Sequence, residues 1–158
     1  MFRKLMPVIV SFFALLVLSG CGGGGNPFLS NNSNSDPTLS AAGRALDGYL
    51  SGATVCLDVD EDGVCSSTEP QATTDSTGAY SFVANKADLD TYRVVVSVVA
   101  GQTIDMDEPD TVLTEAYTLT SPPGQYEVIS PITTQVVAKV IENGGTFGDA
   151  ADLATAIA

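Results

Sequence analysis

The residues best placed for chemistry lie in one acidic stretch, Asp58-Val59-Asp60-Glu61-Asp62-Gly63-Val64-Cys65-Ser66-Ser67-Thr68-Glu69. Counting Asp58 as position 1, carboxylates fall at positions 1, 3 and 5, a glycine at 6 and a glutamate at 12, which is the ligand spacing of the twelve-residue calcium loop. Alternate residues can turn their oxygens inward while the chain curls round a hard cation. Gly63 permits the sharp turn, Val64 offers a backbone carbonyl, and Glu69 closes the sphere with two oxygens. Asp58, Asp60, Asp62, Val64 and Glu69 are therefore the candidate ligands, and Ca2+ is the candidate ion. Without a cation the same carboxylates repel one another, so an empty loop is expected to be strained or disordered. The alternative is an Asp-rich turn that is merely solvated. A second acidic run, Asp105 to Asp110, lacks both the glycine hinge and a closing glutamate, and is read as a solvated loop.

The loop needs an element to carry it. Ala53 to Val59 is β-branched and alternating, so a strand is expected to lead into the loop, and Glu69-Pro70 disfavours a helix after it. Two of the three cysteines, Cys56 and Cys65, flank the first carboxylates. In an oxidising compartment they would close a ring of about 10 residues, worth roughly 2.5 to 3 kcal/mol by loop entropy. Two buried free thiols are the alternative.

The third cysteine, Cys21, follows a short basic segment (Arg3, Lys4), an apolar run from Leu5 to Leu18, and Ser19-Gly20. These are the parts of a secretory signal peptide, and the run falls short of the roughly 20 apolar residues of a membrane span. Leu18-Ser19-Gly20-Cys21 resembles the lipobox of bacterial lipoproteins, in which the cysteine receives a diacylglycerol and becomes the new N-terminus. The resemblance implies a lipid anchor on Cys21, and Gly22 in place of an aspartate implies the outer membrane. An ordinary cleaved signal or an uncleaved anchor are the alternatives. From Gly22 to about Ser40 the chain is rich in Gly, Asn, Ser and Pro and reads as a flexible tether.

Composition narrows the function classes. The chain carries a net charge of −13, and without Arg3 and Lys4 its 4 remaining basic residues face 19 acidic ones, a charge of about −15. Such a surface repels phosphate backbones, which argues against nucleic acid. There is no histidine, no G-x-S-x-G elbow and no Cys/His pair, so no catalytic residue is assigned and an enzyme is not expected.

From Gly43 onward, short alternating runs separated by turn residues indicate an all-β sandwich or barrel. Strands are expected near 43–49, 53–59, 71–74, 79–83, 92–99, 102–105 and 116–120. Asp75-Ser76-Thr77-Gly78 reads as a hairpin turn with Gly78 left-handed, and Tyr80, Phe82, Val94, Val96 and Val98 as core. Ser130-Pro131 reads as a helix start, with Ile132, Val136, Val137 and Val140 at helical spacing and Gly144-Gly145 as the stop. A second short helix is expected after Thr146, through Ala150, Leu153 and Ile157; its pattern is still open at Ala158, as in a longer protein or a helix that needs a partner. The expected divisions are a signal peptide at 1–20, a lipidated linker at 21–42, a β-sandwich at 43–122 and a helical segment at 123–158.

Gly48-Tyr49-Leu50-Ser51-Gly52-Ala53-Thr54-Val55-Cys56-Leu57-Asp58, the acidic loop, Glu69-Pro70 and Thr74 to Phe82 together resemble the carboxypeptidase-regulatory-like or prealbumin-like β-sandwich modules of exported bacterial proteins. They are also similar to the calcium-binding B-type repeats of surface adhesins, in which a D-x-[DN]-x-D-G…E-P loop precedes a T-D-x-x-G-x-Y-x-F hairpin. Ile129-Ser130-Pro131-Ile132-Thr133-Thr134 is similar to the S-P-[LI]-T-T segment that follows such modules in envelope lipoproteins. The resemblance implies an Ig-like or prealbumin-like antiparallel sandwich with a short C-terminal α-helical segment. It also implies calcium on the five named ligands, a membrane contact through the lipid, and a role as spacer or adhesion unit toward an extracellular protein or glycan. A carbohydrate- or peptide-binding accessory module of an envelope hydrolytic system is the competing expectation. Cys65 within the loop and the single copy of the module depart from the repeat pattern.

Overall fold

A computed structural model describes residues 37–148, and in it the alternating segments form short strands. In chain order these are β1 (Thr38–Ala45), β2 (Leu50–Ser51), β3 (Thr54–Asp58), β4 (Gln71–Thr73), β5 (Ala79–Asn85), β6 (Arg93–Val98), β7 (Ile104–Asp105), β8 (Tyr117–Ser121) and β9 (Val128–Ile129). Helix α1 (Lys86–Thr91) lies between β5 and β6, and α2 (Pro131–Glu142) follows β9. The expected signal peptide, Cys21, most of the expected tether and most of the expected helix beyond Thr146 lie outside the described residues.

Three sheets result, in the orders β5-β1-β9, β2-β7 and β4-β3-β6-β8. All pairings are antiparallel except the short one between β1 and β9. Alternation explains how the two larger sheets share a core. Ala41, Ala45, Tyr80, Phe82, Ala84 and Ile129 come from the first, and Val55, Leu57, Val94, Val96, Val98 and Leu119 from the last, and all belong to one buried cluster. The described chain is thus mostly β with a small C-terminal helix, consistent with an all-β sandwich.

The strands differ from expectation where the signal is weak or non-local. β1 begins at Thr38, inside the stretch whose composition reads as tether, because its inward residues are the small Ala41 and Ala45. Asp75 to Gly78 is a turn with Gly78 at φ 68°, but not a hairpin: β4 pairs with β3, and β5 pairs with β1 in another sheet. It is a corner between sheets. The Asp75 carboxylate accepts from the Thr77 hydroxyl and from the Thr77 and Ala79 N–H groups, which hold its pKa below the ordinary carboxylate value.

α2 starts as its sequence indicates. Ser130 Oγ accepts from Thr133 N at 3.3 Å while Thr133 Oγ1 accepts from Ser130 N at 2.9 Å, a reciprocal cap with Pro131 in the first turn. The adjacent threonines dock the helix on β8, since Thr133 Oγ1 donates to the Thr120 carbonyl at 2.8 Å and Thr134 Oγ1 accepts from Thr120 N at 2.9 Å.

Gly43 is required where β1 meets the segment before β9. A Cβ there would overlap the Tyr126 carbonyl oxygen and lie 2.8 Å from that of Glu127, and the Tyr80 hydroxyl donates to the same Tyr126 carbonyl. Burial, then the nearby Glu127 and Tyr126, raises the Tyr80 pKa well above its ordinary value. Gly43→Ala is expected to lower stability by about 1 to 3 kcal/mol, read as an earlier denaturant midpoint. An unchanged midpoint would mean that this close approach does not form.

Candidate metal centre

The site is built on the outer face of the four-stranded sheet. Val55 and Leu57 of β3 point into the core, so Cys56 and Asp58 point the other way, and both are fully buried. Two things cover them. Cys56 is disulfide-bonded to Cys65, with 5.5 Å between their Cα atoms, which draws the acidic loop down onto the strand. Arg93 lies directly across from Asp58 in the β3–β6 register, and its Nη2 donates to Asp58 Oδ2 at 3.1 Å.

The loop closes by folding its backbone N–H groups onto its own carboxylates. Gly63 N donates to Asp58 Oδ2 and Oδ1 at 3.2 and 3.3 Å. Val59 N and Ser66 N donate to Glu69 Oε1 and Oε2, each at 2.9 Å, so one side chain fastens both ends of the turn. Asp60 Oδ1 accepts from Asp62 N at 3.4 Å, and Asp62 Oδ1 from Val64 N at 2.7 Å. Gly63 takes the left-handed conformation at φ 76°, and Glu61 at φ 59° takes it at a cost of roughly 1 kcal/mol. The loop is therefore a turn bonded to its own carboxylates. Arg93 and these N–H donors offset part of the repulsion among the carboxylates.

Electrostatically the site remains under-compensated. Burial raises the Asp58 pKa; the Gly63 N–H and Arg93 oppose that shift, and the Glu69 and Asp62 charges reinforce it. One oxygen each of Asp58, Asp60 and Glu69 lies within 4.8 Å of the other two. Bonds of about 2.3 to 2.6 Å to a single cation can span such a separation. Among the described residues Arg93 is the one cation paired with these three carboxylates, which leaves two negative charges unmatched, the charge of one divalent ion. Each Glu69 oxygen accepts one N–H and retains a second acceptor site. Oxygen donors suit hard cations, and the cysteine pair that would favour a softer metal is consumed by the disulfide. The described residues thus hold an acidic group able to bind a metal ion, and nothing in the geometry alone selects calcium.

No protein-family model, curated protein or solved structure matches the chain.

Of the five residues marked by spacing, Asp58, Asp60 and Glu69 bring one carboxylate oxygen each together. Asp62 is turned toward Val64 N, and the Val64 side chain is exposed. The pairing of Cys56 with Cys65 is borne out. In the second acidic run, Asp105 Oδ1 accepts from Asp107 N at 2.9 Å, and Asp107, Glu108 and Asp110 are exposed. Arg93 is the residue sequence reasoning did not find. Nothing local marks it, because its role comes from a strand register that joins residues 35 positions apart.

Proposed function

We propose that this chain is an exported lipoprotein, anchored through a lipid on Cys21, whose prealbumin-like sandwich is stabilised by one structural calcium ion and serves as a spacer or adhesion module. The convergence of Asp58, Asp60 and Glu69 in a loop with calcium-loop spacing carries the reading. The disulfide supports an oxidising, extracytoplasmic setting. Among the described residues no helix is long and apolar enough to cross a membrane. Asp62 and the Val64 carbonyl complete the coordination when the ion enters, together with water. Calcium adds rigidity and no catalysis, at an affinity in the extracellular range of about 0.1 to 1 mM.

Calorimetric titration of the metal-free chain with Ca2+ is expected to give one saturable site. At a tenfold excess over the dissociation constant the melting midpoint should rise by about 5 °C or more, and a chelator should reverse the rise. Neither heat nor a shift in midpoint would end the calcium reading. Mass spectrometry of the mature N-terminus, expected to show a diacylglyceryl Cys21, tests the anchor separately.

A further inference from the structure

We infer that the Cys56–Cys65 disulfide is a redox latch: it holds the loop between β3 and β4 closed in an oxidising compartment, and its reduction opens that loop while the two larger sheets stay folded. The latch position carries the argument. Cys56 lies on the outer face of β3, two residues before Asp58, and Cys65 sits at the eighth position of the loop, so the bond ties the middle of the loop to the strand that carries the first carboxylate.

Little else restrains that middle. Val59 packs against the core, but Val64 is 59 % exposed and no residue from Asp60 to Thr68 is buried. The remaining ties are hydrogen bonds: those to the Asp58 and Glu69 carboxylates, short-range ones within the loop (Asp62 N to Asp60, Val64 N to Asp62, Ser66 Oγ with Thr68 Oγ1, Glu69 N to the Ser66 carbonyl), that from Gln71 Nε2 to the Ser66 carbonyl, and that from Leu57 N to the Pro70 carbonyl. A segment with few apolar contacts belongs to the low-stability end of a fold, and here charge repulsion among Asp58, Asp60, Glu61, Asp62 and Glu69 also favours opening. The sheets do not depend on the bond in the same way. Five residue pairs join β3 to β6 and five join β6 to β8, and the shared core contains neither cysteine.

The chemistry balances with a dithiol reductant. One thiolate of the dithiol attacks the sulfur of Cys65, the partly exposed half of the pair, and Cys56 departs and takes up a proton. The second thiol of the reductant then displaces Cys65 as it closes its own disulfide, so two electrons and two protons pass to the cysteine pair. The neutral Cys56 thiol is a small apolar group that its buried site can keep. Because Asp60 and Glu69 move with the loop and Asp58 stays on β3, opening also separates the three oxygens; that consequence rests on the cation reading above, and the opening itself does not.

Hydrogen exchange on the whole chain, with and without dithiothreitol and with free thiols counted, tests this. On reduction the amides of Val59, Gly63 and Ser66 should exchange about tenfold faster or more, while those of Ala41, Phe82 and Val96 keep their rates. Without reductant, the double variant Cys56→Ala, Cys65→Ala should reproduce the pattern. Unchanged loop amides would overturn the latch, and so would loop and strand amides accelerating together or a double variant that does not fold. If the oxidised chain takes no Ca2+ but the loop amides still accelerate on reduction, the calcium reading fails and the latch stands.

Discussion

Asp58→Ala is expected to lower the unfolding free energy by about 3 to 5 kcal/mol in the absence of any metal, the cost of removing one partner of a buried ion pair. Asp58 is fully buried and the Arg93 side chain is 18 % exposed, so the substitution leaves a guanidinium with little access to water and no counter-charge. It also strips the acceptor from Gly63 N and takes away the bond that fixes the loop over β3. Asp60→Ala provides the comparison. Asp60 is exposed, its one hydrogen bond within the loop is 3.4 Å long, and its loss should cost within about 0.5 kcal/mol. Denaturant melts of the metal-free variants measure both. Equal losses would mean that Asp58 is held as a ligand in waiting and not as part of the folded frame.

The second large effect belongs to Glu69. Its two oxygens fasten Val59 N and Ser66 N, and the residue is 5 % exposed, so Glu69→Ala leaves two backbone donors of the turn without their partner. Hydrogen bonds to an ionised acceptor are among the stronger ones, and a loss of about 2 to 4 kcal/mol follows. Glu69→Gln separates charge from shape: one end of the amide still accepts, but its NH2 is set against an N–H and cannot. It should recover less than half of the loss and none of the calcium response. A Glu69→Ala chain that melts like the parent would contradict the hydrogen-bonded loop described above.

How much of this was legible in the sequence depends on the range of the information. The carboxylate spacing, Gly63 and the flanking cysteines are local, and they led to Asp58, Asp60, Glu69 and the disulfide. Asp62 shows the limit of spacing, since its carboxylate accepts from Val64 N at 2.7 Å and is not one of the three that converge. Arg93 was invisible, as was the separation of β4 and β5 into different sheets, because each is decided by a partner strand distant in sequence. Short elements failed for a different reason. α1 spans six residues and buries only Leu89, and β2 and β9 have two residues each, too few for any periodicity to register. The first strand was placed at 43–49 and not at Thr38–Ala45 because Ala41, which faces inward in its first half, has none of the bulk that marks a core strand. The helix start at Ser130-Pro131 was legible because its cap is made by the residues of the cap itself.

Crystals of the oxidised chain soaked in calcium and measured for anomalous scattering address the central claim most directly. The account predicts one ordered peak about 2.3 to 2.6 Å from an oxygen of each of Asp58, Asp60 and Glu69, with Asp62 released from Val64 N to join it. An empty loop at saturating calcium, its carboxylates still holding only Arg93 and backbone N–H groups, would contradict it.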